Sequence, residues 1–503
     1  MLTLAEMLRW RACRHPDLDA LREPGRTLTY AELDRSTTEI ANGLIARGVR
    51  PGDRVAILDK NSVAYMELIW ALAKCGAVAA YVNWRLTARE IADVVGDAGA
   101  SLLVAGEDYR DAASALGIPL LMMTELPREA GEDPRLDDQA AVVWQLYTSG
   151  TTGVPKGAML TNANIFSCMS GLVLEAPEAR EGSVSLVAMP LYHIGGCGWA
   201  SAMMFCGTTM VVVREIVPNE LLRTIVEERI GTAFLVPAVL LFLTLLPEIE
   251  GADLGHLRRI FYGASPITPE LLERCIELFG CAFTQVYGLT ETTGAITVLR
   301  HEEHTPELLL SCGRANLGTD VRVVDAAGAE LPAGQTGELL VRSPQVMAGY
   351  WRRDAENAAA IVDGWFHTGD AASIDQNGFI YIRDRIKDMV VSGGENVYPV
   401  EVEAVLAGHP EVADVAVIGV PDQRWGEAVK AVVVRRPGSS LSEAQLIDFT
   451  RDRLAGYKRP QSVDFVDAIP RNPTGKVLKR ELREPYWVGQ ERRVAGSGAR
   501  VPA

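Results

Sequence analysis

Residues 147–160 read YTSGTTGVPKGAML, and the apolar run VVWQLY leads straight into them. Within a few positions the segment gathers the hydroxyls of Thr148, Ser149, Thr151 and Thr152, the glycines Gly150, Gly153 and Gly157, and Lys156. Glycines let backbone N–H groups approach an anion closely, hydroxyls donate hydrogen bonds, and the lysine adds positive charge. That is chemistry for polyphosphate. The spacing differs from the common G-x-x-x-x-G-K-[ST] loop, because Pro155 precedes the lysine and Gly157 follows it. A flexible Gly/Ser/Thr linker is the plain alternative, but linkers seldom follow an apolar strand at this density.

Outward from this loop the chain alternates helical and strand-like texture. Tyr30–Ala46 has apolar residues at helical spacing and is stopped by Gly48. Residues 53–59 suit a buried strand, 66–75 a helix and 77–82 another strand, with similar strands at 142–147, 184–189 and 209–213. Such alternation predicts an α/β fold with helices on the sheet faces. From about 318 the segments 321–324, 337–341 and 379–382 become short strands between Gly, Pro and Asp turns. Beyond 385 the order is helix 400–406, strands 412–420 and 428–434, and helix 443–453, a compact α+β unit of about 115 residues. The expected organisation is a large α/β N-terminal domain over 1–384, including a β-rich subdomain at about 318–384. A hinge at 385–388, a small α+β C-terminal domain at 389–488 and a disordered tail at 489–503 complete it.

A length of 503 residues exceeds a single hydrophobic core, and 48% hydrophobic with 23% charged residues is ordinary for a globular protein. The net charge of −16 disfavours non-specific binding to nucleic acid or anionic membrane. The eight cysteines form no C-x-x-C pair and no zinc-finger spacing, so they read as core residues in a reducing compartment, with Cys197 after His193 the one thiol worth weighing as a nucleophile. The most apolar stretch, 235–246, is too short to span a membrane and reads as a buried helix or pocket wall. A cytoplasmic protein is expected.

YTSGTTGVPKG resembles the signature of the adenylate-forming superfamily: acyl-CoA synthetases, adenylation domains of peptide synthetases, and beetle luciferases. The resemblance covers about residues 5–485, with PLYHIGG at 190–196, YGAS at 262–265, YGLTET at 287–292 and GELLVRSPQVMAGYW at 337–351. GWFHTGD at 364–370, RDRIKDMVVSGGENVYPVEVE at 383–403 and PRNPTGK at 470–476 follow in the same order as in that superfamily. It implies an ATP-dependent ligase that joins a monocarboxylic acid (fatty, aromatic or alicyclic) to AMP, then passes the acyl group to coenzyme A.

The resemblance also implies residue roles. Thr148, Ser149, Gly150, Thr151, Thr152, Gly153 and Lys156 would hold phosphates; Gly263, Ala264, Ser265, Tyr287 and Gly288 would surround adenine. Thr290 would contact the α-phosphate, Glu291 a Mg²⁺ ion, Asp370 the ribose, and Arg385 the ribose or a phosphate. Lys476 would be the catalytic lysine of adenylation, while Lys479 and Arg480 read as ordinary surface charges. Lys387 would be the hinge about which the C-terminal domain turns between half-reactions, bringing Gly393, Gly394 and Trp425 to a pantetheine tunnel; for Trp425 a buried structural role weighs equally. His193, Trp199, Val236, Gly263 and Leu289 would line the acyl pocket, and the absence of an obvious Asp or Arg among them disfavours amino acids. YGLTE reads as a compact turn.

Four readings compete with transfer to CoA, and the first, a luciferase-like oxygenase, would need a special substrate to which nothing points. A carrier-protein phosphopantetheine could accept the acyl group, although no carrier domain is evident in the chain. A catalytically silent nucleotide-binding protein would have no use for Lys156, Glu291, Asp370, Arg385 and Lys476 together. A kinase would release ADP instead of AMP. Homodimers are common enough to expect one here.

Overall fold

The computed structural model describes residues 3–136, 138–148, 155–392, 395–471 and 477–488. The chain divides into two compact units, residues 1–320 with 341–366, and residues 321–340 with 367–503. The β-rich segment expected to go with the large domain is thus grouped mostly with the C-terminal residues.

The first unit is built on two sheets. The nine-stranded sheet runs Arg314–Ala315, Gly294–Leu299, Ala282–Leu289, Arg259–Gly263, Thr232–Leu235, Val184–Val187, Thr209–Val212, Asp19–Glu23, Arg26–Thr29. From Asp19–Glu23 through Ala282–Leu289 the neighbours are parallel. Their C-terminal ends therefore share one edge, where open parallel sheets place their ligands. The seven-stranded sheet runs Gly349–Tyr350, Lys156–Thr161, Val142–Thr148, Val78–Tyr81, Arg54–Leu58, Leu102–Ala105, Leu120–Met122.

Strands such as Val78–Tyr81 and Leu102–Ala105 are buried at every position, as sheets covered on both faces require. Helices start where hydroxyl residues can cap them. Thr29 and Glu32 form a reciprocal capping box at the head of Tyr30–Ala46, and Thr161 with Asn164 does the same for Asn162–Leu174.

The apolar stretch 235–246 departs from expectation. It forms the helix Pro237–Thr244, with Val239, Leu240 and Leu243 packed inward. Leu241, Phe242 and Leu245 instead face solvent, Phe242 at 51% and Leu245 at 63% exposure. A helix at the surface of a folded unit has only one face to bury. No helix among the described residues is long and apolar enough to cross a membrane.

The strands Asp320–Val324, Gly337–Arg342, Trp365–Ile374 and Ile380–Arg385, most of whose residues belong to the second unit, lie side by side in that order. A second sheet pairs the long antiparallel strands Val412–Asp422 and Gly426–Arg435, and Ser462–Phe465 joins the latter in parallel. Val402 and Leu406 from the helix Pro399–Ala407 close its core over Val417, Val429 and Val433. The expected tail at 489–503 lies outside the described residues.

Candidate active site

The strand Ala282–Leu289 carries Tyr287, Gly288 and Leu289 to the ligand edge of the nine-stranded sheet, where a short 3-10 turn presents Thr290 and Glu291. The YGLTE segment is therefore a strand end followed by a turn, not a turn throughout. Thr292 fixes that turn: its hydroxyl accepts from the Leu289 N–H at 2.9 Å and donates to the Gly294 carbonyl at 2.9 Å. Close backbone approach dictates two glycines. A Cβ on Gly288 would lie 1.8 Å from the Gly294 carbonyl oxygen, and one on Gly263 would lie 2.1 Å from that of Val286. Beside them, Ala264 holds a left-handed φ of +67°, unusual for a residue with a side chain.

Glu291 is half-buried, and its carboxylate accepts a hydrogen bond from the Tyr350 hydroxyl at 2.8 Å. Tyr350 lies on the strand that pairs with Lys156–Thr161, opposite Ala158, and the Lys156 ammonium sits 5.3 Å from its ring centre. One tyrosine thus bridges the lysine that borders the phosphate loop and the carboxylate of the turn. Thr148 and Lys156 pair across the base of that loop. Ser149, Gly150, Thr151, Thr152 and Gly153 lie outside the described residues. Tyr350 was missed as a site residue, although the GYW that ends the 337–351 motif already contained it.

Against this edge lies an apolar cavity of about 100 Å³, lined among others by Trp199, Phe234, Phe261, Ala264 and Gly288. Of the five residues expected at an acyl pocket, Trp199 lines it; His193, Val236, Gly263 and Leu289 do not. Phe234 and Phe261 carried no sequence signal beyond lying in apolar strands, since only the sheet decides which face looks inward.

His193 precedes the helix Ile194–Cys206. Its Nε2 is sealed from solvent with no hydrogen-bond partner among the described residues, and burial, aided by the nearby positive charge of Arg85, pushes the ring's pKa down to about 4. At neutral pH it is an uncharged imidazole. Cys197 donates its thiol to the His193 carbonyl, and burial raises the thiol far above the range in which a thiolate forms, so it is no nucleophile. Seven of the eight cysteines are buried and all are free.

In the second unit Asp370 and Arg385 face each other across paired strands, with Nε 2.8 Å from the carboxylate. Asp370 is buried, and Arg385 also donates to the Thr368 carbonyl at 3.2 Å. Lys387 lies two residues on, its pKa lowered by burial. Gly393, Gly394 and Lys476 lie outside the described residues. Trp425 is 41% exposed beneath the Arg424 guanidinium, which rules out the buried structural alternative.

Lys479 is a correction. Its ammonium is withdrawn from solvent and lies 2.9 Å from Glu403 and 3.4 Å from Asp384. One turn further along its short helix, Arg483 pairs with Asp388 at 2.7 Å. Arg480, between them, is exposed as expected. Helical spacing of the two cations was the available signal, but their carboxylate partners are 76 to 95 residues away, beyond the reach of any local pattern.

No group of three or more His, Cys, Asp or Glu among the described residues forms a metal cage. A hard cation such as Mg²⁺ needs few protein ligands when substrate phosphates and water supply the rest. Glu291, tethered through one oxygen, fits that limited role.

A family profile described as AMP-binding enzyme matches residues 8–351, and one described as AMP-binding enzyme C-terminal domain matches 401–476. A fatty acid–[acyl-carrier-protein] ligase from Streptomyces coeruleorubidus is 39% identical over 98% of this chain and 98% of its own. A feruloyl-CoA synthase from Amycolatopsis sp. is 41% identical over 95% and 97%. Among solved structures, o-succinylbenzoate CoA synthetase from Bacillus subtilis, in complex with its acyl-adenylate intermediate, superposes with a TM-score of 0.85 at 32% identity, over 95% of this chain and 97% of its own.

Proposed function

The chain belongs to the AMP-binding, adenylate-forming enzyme family, and from that premise we propose that it activates an uncharged monocarboxylic acid as its acyl-adenylate and transfers the acyl group to CoA. The observation that carries this reading is the junction of two unlike surfaces. Glu291, Tyr350 and Lys156 make a polar edge suited to phosphates, and it adjoins an apolar cavity suited to a hydrocarbon tail.

In the first half-reaction a carboxylate oxygen attacks the α-phosphorus of ATP and the bond to pyrophosphate breaks. Lys156 and the glycine-rich loop take up phosphate charge, and Thr290 donates to the α-phosphate. Glu291 would hold Mg²⁺, which supplies further positive charge to the phosphates when bound. Tyr287 and Gly263–Ser265 would flank adenine, and Asp370 with Arg385 the ribose. Lys476 neutralises charge building on the carboxylate and α-phosphate. In the second half-reaction the CoA thiolate attacks the acyl carbon and AMP leaves. A turn about residues 385–388 would exchange the two sets of groups, with Gly393, Gly394 and Trp425 bordering the pantetheine. The enzyme would work in the cytoplasm, where ATP and CoA are supplied.

A carrier-protein phosphopantetheine is the second acceptor to weigh, because the relative from S. coeruleorubidus is a carrier-protein ligase. Exchange of labelled pyrophosphate into ATP tests the first half-reaction without regard to acceptor. Acid-dependent exchange is expected; exchange that ignores added acid would refute the reading.

A further inference from the structure

The apolar cavity says more than that the acid is a hydrocarbon. It lies wholly within the first unit, and no Asp, Glu, Lys, Arg or His lines it. The one titratable side chain on its wall, Cys168, is held neutral because burial pushes its thiol up to about 12. A second carboxylate or an amino group entering this space would lose its hydration with no counter-charge to replace it.

Part of its wall is made of aromatic rings. Trp199 packs its ring 5.2 Å from Phe261 and 6.3 Å from Phe234, centre to centre. Its indole N–H donates to the Leu186 carbonyl at 2.9 Å. The ring therefore cannot swing aside without leaving a buried N–H unpaired. Phe234 keeps its place because Gly195 has no side chain: a Cβ there would sit 2.8 Å from Phe234 Cε1. The space within these walls, about 100 Å³, is of the same order as the roughly 150 Å³ that accepts benzene in an engineered apolar core, so one ring or a short chain suits it better than a long chain. Gly288 on its wall stands two residues before Thr290, so a carboxylate at that side of the cavity is the end nearest the turn that carries Thr290 and Glu291.

We infer that the acid is compact and uncharged beyond its carboxylate, no larger than a single-ring aromatic acid, and that Trp199 is the residue that sets its length. This rests on the adenylation reading above.

The test measures kcat/KM for acid-dependent AMP release across benzoate, butyrate, octanoate, palmitate and malonate, in the wild type and in Trp199→Ala. Benzoate or butyrate should lead octanoate by tenfold or more in the wild type, with palmitate and malonate near background. Trp199→Ala should raise octanoate relative to benzoate by at least tenfold. Palmitate or malonate as best substrate, or a folded Trp199→Ala with unchanged ranking, would overturn this inference while leaving adenylation standing. AMP release with none of the acids would overturn the adenylation reading itself. The wild-type ranking needs no variant, and Trp199→Phe, which keeps an aromatic ring in place, should shift the ranking less than the alanine change.

Discussion

Tyr350 is the residue on which the polar edge turns. Its hydroxyl hydrogen bond to Glu291 is charge-assisted, a kind worth about 1.5–3 kcal/mol. Its ring also stands beside Lys156. Tyr350→Phe keeps the ring and removes only the bond, so pyrophosphate release should fall about tenfold in kcat/KM, with little change in melting temperature. Unchanged kinetics would mean that Glu291 needs no such tether. At this scale the sequence was legible where chemistry is carried by the residue type itself: Lys156, Thr290 and Glu291 stand at or beside the turn and strands that the motifs implied. It was silent where position decides. Phe261 became a pocket wall and Lys479 a paired, largely covered cation through partners far away in the chain.

Elements place these residues through tight backbone contacts and buried charge. Gly288→Ala forces a methyl group onto the Gly294 carbonyl where neither strand can yield, and should cost roughly 2 kcal/mol or more, read as a lower melting temperature. An unchanged melt would show that the strand end is looser than its geometry implies. In the second unit, burial pushes the Asp384 carboxyl up to about 6, a shift that Lys479 opposes while Glu403 and Asp388 reinforce it. An unfolded aspartate titrates near 3.9, so between about pH 4 and 6 the folded chain binds the extra proton and stability falls as pH rises. Asp384→Asn should remove that slope, measurable by denaturant unfolding at several pH values; an unaltered slope would assign it to other groups. Strands and helices were legible to within a few residues because their periodicity is local. The exposed face of Pro237–Thr244 was not, because composition alone does not say how many sides of a helix are covered.

At the scale of the whole molecule, the account asks the residues on either side of a turn at 385–388 to serve two half-reactions. Lys476 is assigned to the first of them alone. Lys476→Ala should therefore abolish pyrophosphate release yet leave thioester formation from supplied acyl-adenylate largely intact; normal pyrophosphate release would remove the assignment. The ordered series of motifs made the family legible from end to end, whereas the grouping of 321–340 and 367–384 with the C-terminal residues depends on contacts that no motif records. The most direct test of the central claim is product analysis after incubation with ATP, Mg²⁺, a compact acid such as benzoate, and CoA. The account predicts AMP, pyrophosphate and an acyl-CoA of the expected mass in equal amounts; ADP, or nucleotide turnover that does not depend on the acid, would contradict it.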